Sequence, residues 1–126
     1  MKKSNTISTL FVFAAIYDGV LGMAFLVAAD SVFKWINVTP PNHFGYVHFP
    51  AALLLVFAIM FLAVAMNPAR NRYLIPYGIL LKVSYCGVVL YHMLAADIPG
   101  IWKWFAVADM VFMVLFIWSF LSLRRR

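Results

Sequence analysis

Two carboxylates and one amine in this chain occupy surroundings that should repel charge. Asp18, Lys82 and Asp109 each lie inside a long run of apolar residues. A charge facing lipid at mid-depth costs from a few to more than about ten kcal/mol, so ionisable groups there turn inward and find partners. Two chemistries suit such a set. The groups can hold helices together as buried ion pairs, or they can exchange a proton. Two acids sharing one ammonium in a low-dielectric layer cannot easily both ionise, so one is able to take up a proton.

The elements that must position these residues follow from composition. The 126 residues are 66% hydrophobic, 17% aromatic and 11% charged, with a mean hydropathy of +0.95. Soluble domains are roughly half apolar, so this chain belongs in a lipid bilayer. About 20 residues span a ~30 Å hydrocarbon core. Four segments meet that length, 7–29, 47–66, 73–94 and 101–123, and predict an all-α integral membrane four-helix bundle forming one transmembrane domain over 1–126. The connections are too short for a soluble catalytic domain. Pro50, Pro68, Pro76 and Pro99 fall at or just before the predicted helix starts, where a missing amide hydrogen is tolerated. Residues 31–38 place Val32, Phe33 and Ile36 opposite Lys34 and Asn37, which predicts a short helix at the interface with Trp35 at headgroup depth.

Counted from the outer ends of the segments at about 1.5 Å per residue, Asp18 lies roughly 16 Å deep, Lys82 roughly 18 Å and Asp109 roughly 12 Å. The three therefore share one layer, with Asp18 and Lys82 the closest match. On the third segment Ile75, Gly78, Lys82, Tyr85, Val89 and His92 recur at helical spacing, a stripe running from the charge layer outward. On the first, Ala15, Asp18, Gly19 and Gly22 make a small-residue face that admits a close neighbour. Trp102, Ala106, Asp109, Met113, Phe116 and Phe120 share a face of the fourth. The second segment carries no charge and reads as packing, apart from His48 at its end. Tyr17, Tyr85, His48 and His92 are the candidate ligand-lining residues, with Tyr77 a further tyrosine near the layer.

Basic residues orient the chain. With the N-terminus inside, Lys2, Lys3, Arg70, Arg72, Arg124, Arg125 and Arg126 face the cytoplasm, and Lys34 and Lys103 face out. That bias follows the positive-inside rule and puts both termini in the cytoplasm. The net charge of +6 is thereby explained by topology and anionic lipid rather than nucleic acid. A competing reading makes the N-terminus a cleaved secretory signal, with Val27, Ala28 and Ala29 before the cut. Asp18 within the apolar run argues against it. Cys86 is the single cysteine and reads as a small buried hydrophobe. All three histidines, His43, His48 and His92, fall at the outer end with Asp30, Asp97 and Lys103. Their spacing matches no metal or haem motif, and they read as interfacial groups bonded to loop backbone, so neither metal nor cofactor is expected. Trp35, Trp102 and Trp104 suggest an aromatic belt.

An Asp18-Gly19 pair in the first helix, the short connection from Asn67 through Pro68, Ala69, Arg70 and Asn71 to Arg72, Gly78 followed by Lys82, and Asp109 in the fourth helix together resemble the DoxX-like superfamily of small bacterial membrane proteins. The resemblance covers most of the chain and implies a four-helix bundle in a bacterial inner membrane. The founder's thiosulfate and quinone oxidoreduction has no matching catalytic motif here and is not carried over. Two function classes follow. In the favoured one the chain is an accessory or assembly subunit whose buried charges hold its own helices together. It would partner the bilayer and either other membrane subunits or further copies of itself. In the alternative, the Asp18, Lys82 and Asp109 layer is a proton-responsive site that binds or transports a small solute or quinone-like molecule. An independent membrane enzyme has no nucleophile, metal or cofactor motif behind it.

Overall fold

The computed structural model describes residues 2–123, and all regular structure among them is helical. Helix α1 spans Lys2–Val27, α2 Ala29–Trp35, α3 Gly45–Met66, α4 Ile75–Ala95 and α5 Gly100–Leu123, with one 3₁₀ turn at Arg72–Leu74. Four of these, α1, α3, α5 and α4 with its preceding turn, are long and apolar enough to cross a membrane. Arg124, Arg125 and Arg126, counted above for orientation, lie outside the described residues, as do the side chains of Lys2 and Lys3.

Helix ends differ from the hydropathy boundaries for local reasons. Helix α1 starts well before Ile7, because Ser4, Asn5 and Thr6 continue the helical hydrogen bonding although they are polar. It stops at Val27 rather than Ala29, where Ala28 turns the backbone to φ −138°. The short helix accordingly begins at Ala29 and ends at Trp35, not Val38. Asn37 takes φ +58° there. Its N–H donates to the Lys34 carbonyl at 3.2 Å, and the Val38 N–H donates to the Phe33 carbonyl at 3.0 Å. This is a Schellman cap with asparagine in the left-handed position that usually takes glycine. Pro50 corrects the proline expectation, since it lies in the second turn of α3 rather than at its start. Its ring denies the helix one hydrogen bond near that end. Pro76 sits in the first turn of α4, and Pro99 just precedes α5.

The helices pack as two antiparallel pairs, α1 on α3 and α4 on α5. Lipid tails are as apolar as leucine, so close fit rather than water exclusion must hold such helices together. Glycine supplies it at two positions. A Cβ on Gly22 would come within 2.8 Å of the Ala51 carbonyl, so α1 touches the backbone of α3. A Cβ on Gly78 would reach Phe61 at 2.7 Å. The small-residue face of α1 thus serves the contact with α3, while Asp18 reaches the other pair.

The two pairs meet through aromatic rings. Phe11 of α1 stacks on Phe116 of α5 with centroids 4.6 Å apart, and Phe61 of α3 closes the group at 5.9 and 5.2 Å. Ile7, Val64, Ile75 and Leu123 complete this buried cluster toward the Arg72 end. Each aromatic pair is worth about 0.5–1.5 kcal/mol beyond its burial. Outward, all four long helices present large apolar side chains, including Phe13, Ile59, Leu80 and Val114.

Candidate functional site

About two helical turns from the Phe11–Phe116 stack toward the α2 end, the structure brings Asp18, Lys82 and Asp109 into contact. Each lies on a different helix, and the spacing of each helix's buried residues turns it inward: Phe11, Ala14 and Ala15 with Asp18, Gly78 with Lys82, and Phe116 with Asp109. The Lys82 ammonium donates to both oxygens of Asp18, at 3.1 and 3.2 Å, and to Asp109 Oδ1 at 3.1 Å. All three of its N–H groups are thereby matched. Side-chain exposure is 1% for Lys82, 2% for Asp18 and 10% for Asp109.

Aromatic faces surround the ammonium. The rings of Tyr17 and Phe112 have their centroids 5.3 Å from Nζ, and Phe61 lies at 5.9 Å. Such faces attract a desolvated cation. The arrangement spreads one positive charge over two carboxylates and three π systems, which offsets part of the cost of burying it. Chemically it can do two things. It ties α1 to the α4–α5 pair across their boundary, and its second carboxylate provides a place for one proton.

The candidate lining residues divide. Tyr17 stands beside the charges, its ring 5.4 Å from that of Phe112, and its hydroxyl is buried with no hydrogen-bond partner among the described residues. An orphaned buried hydroxyl costs about 1–3 kcal/mol. Tyr85 is half-buried and donates to the Trp102 carbonyl at 3.2 Å, sealing α4 to α5 above the layer. Cys86 makes a similar contact to the Ala106 carbonyl at 3.5 Å and is half-buried rather than fully buried. Tyr77 and His92 are exposed and away from the charges. The α4 stripe therefore stops being a buried face beyond Val89. His48 is exposed as well, stacked on Phe44 at the α2 end.

At the α2 end the polar residues do not converge. Asp30 and Lys34 pair at 3.3 Å with 66% and 78% of their side chains exposed. His43 accepts from the Gly45 amide at 2.9 Å, whereas His92 packs edge-on against Tyr91. No three His, Cys, Asp or Glu side chains among the described residues stand close enough to hold a metal ion. Trp35 and Trp104 are exposed, while Trp102 is tucked between Phe25 and Phe105.

One contact escaped the sequence reading. Arg72, assigned only an orienting role there, donates from Nε to the Phe120 carbonyl at 2.9 Å and lays its guanidinium 3.7 Å over the Phe120 ring. Phe120 is in the last described turn of α5, and the C-terminal half of a helix is where its dipole favours a cation. The neighbouring Asn71 amide donates to the Ala63 carbonyl at 2.7 Å near the end of α3. Cations and amides just beyond predicted helix ends were the available signal.

No family model matches the chain, and neither a curated protein nor a solved structure matches it.

Proposed function

We propose that the protein is an accessory or assembly subunit of a larger membrane complex, a four-helix bundle with both termini cytoplasmic in a bacterial inner membrane, of the DoxX-like kind its polar positions resemble. The observation that carries this reading is the saturation of Lys82. Every donor of the ammonium is taken by a carboxylate oxygen of the same chain, at 3.1–3.2 Å, so the charges spend their bonding on one another. Such a lock stiffens a small apolar body whose outer faces are free to pack on neighbours. Native mass spectrometry on gently extracted protein tests it. Other membrane subunits should stay bound in fixed stoichiometry, and a solitary protomer would count against the proposal.

A second reading, a proton-responsive site for a small solute or quinone-like molecule, has one observation in its favour. Asp109 has the most exposed side chain of the three charges and bonds Lys82 through a single oxygen. Its carboxyl is the one placed to exchange a proton. Asp18→Asn with Lys82→Met separates the two readings. If the charges only lock helices, the double variant folds and the supported cellular function survives. If they form a working site, it folds and the function is lost.

A further inference from the structure

Every acidic side chain of this chain lies away from the Arg72 end. The four are Asp18, Asp30, Asp97 and Asp109. Asp18 and Asp109 pair with Lys82 in the buried layer, and Asp30 and Asp97 come just past the far ends of α1 and α4. Of the ten lysines and arginines, only Lys34, Lys82 and Lys103 keep them company. Lys2, Lys3, Arg70, Arg72, Arg124, Arg125 and Arg126 all belong in sequence to the opposite ends of the long helices. No carboxylate side chain is there to balance them, so the counter-charge comes from the surroundings.

Arg72 is shaped for one kind of counter-charge. Its Nε donates to the Phe120 carbonyl and its guanidinium lies flat over the Phe120 ring. A guanidinium carries five N–H groups in a rigid plane. The bond and the ring fix that plane from one edge and one face, and leave the four N–H groups of the two terminal nitrogens with no carboxylate partner. Such a fork matches two oxygens of a phosphate, which a lysine ammonium cannot do. Arg72 is also the first residue of the apolar span Arg72–Ala95, which sets the fork at the depth of headgroup phosphates rather than of acyl chains. Arg70, two residues earlier, is exposed.

We infer that Arg72 holds the phosphodiester of one anionic phospholipid through its two terminal nitrogens, with Arg70 as the second cation. An anionic headgroup fits better than a zwitterionic one, because this end carries basic residues and no acidic side chain. A lipid fits better than an acidic protein segment, because a span edge already lies among phosphates. The lipid site is independent of whether the bundle works alone or within a complex.

Native mass spectrometry tests the site on the full chain with whatever stays bound, titrated with phosphatidylglycerol or with phosphatidylcholine of the same acyl chains. Lipid masses and subunit masses are read separately, so this outcome and that of the subunit proposal stay distinct. The first phosphatidylglycerol should bind more tightly than the first phosphatidylcholine. Arg72→Lys keeps the charge and should weaken that phosphatidylglycerol about tenfold, the effect of losing one charged hydrogen bond. Arg70→Gln, at an exposed position that folding does not need, should weaken it about fivefold. Lys103→Gln, at the other end, should leave it unchanged. An Arg72→Lys protein that binds as wild type overturns the inference, and so does equal weakening by Lys103→Gln, which is general attraction to charge. If Arg72→Lys does not fold, Arg70→Gln against Lys103→Gln decides, and equal effects overturn the inference. Inorganic phosphate that displaces the lipid at equal concentration assigns the fork to a free phosphate and also overturns it, as does an acidic protein retained through Arg72 in place of lipid.

Discussion

Two ion pairs of nearly equal length stand at opposite extremes in this molecule. Lys82 meets its carboxylates at 3.1 Å with almost no exposure, while Lys34 meets Asp30 at 3.3 Å with most of both side chains in the open. The distances differ by only 0.2 Å, and surroundings decide the worth. An exposed pair separated by one helical turn contributes only about 0.3–0.5 kcal/mol, because water and salt screen it. A buried pair is costly to assemble and far more costly to break, because its surviving partner is stranded.

Lys82→Met is the sharpest way to break that contrast. It leaves Asp18 and Asp109 buried without their shared counter-ion and should cost about 3–5 kcal/mol in thermal or denaturant unfolding. The loss should shrink as pH falls, since protons then replace the missing ammonium, and adding Asp18→Asn should recover part of it. A Lys82→Met protein as stable as wild type would falsify the lock. Next in size is Gly22→Ala, whose added carbon meets the Ala51 carbonyl at 2.8 Å. Backbone cannot step aside as a side chain can, so about 1–3 kcal/mol should be lost. Gly19→Ala, 3.7 Å from Ala58, is the matched control and should be nearly silent. Arg72→Lys keeps the charge but loses the planar stack and the Nε bond, and should cost about 1 kcal/mol, with added salt restoring none of it. Smallest of all, Lys34→Ala should change stability by less than about 0.5 kcal/mol. A larger effect there would erase the difference between the two ends.

The four long helices were legible because hydropathy is a property of each segment alone. Their ends were less so. Hydropathy marks where side chains turn polar, whereas Ser4 to Thr6 stay helical and Ala28 breaks the helix while remaining apolar. The shared depth of Asp18, Lys82 and Asp109 was open to counting, since rise per residue is constant. Their surroundings were not. Periodicity placed His92 on the Lys82 stripe, yet it has no means of telling that the packed part of the stripe stops at Val89. The bond from Arg72 to Phe120 joins residues 48 apart, and only the pairing of helices brings such residues together. The orphaned Tyr17 hydroxyl was equally invisible, because being unbonded is a fact about neighbours.

Asp18 and Lys82 are separated by 64 residues. At about 5–20 residues per second, a ribosome needs roughly 3–13 s to make that stretch. For that interval α1 holds a carboxyl whose ammonium has yet to be synthesised, and α3 cannot help because it brings no charge. The nascent chain is therefore incomplete by one cation until α4 arrives, and Asp109 waits for nothing, since Lys82 precedes it. Chains arrested between Met66 and Lys82 should be the forms that membrane proteases clear fastest.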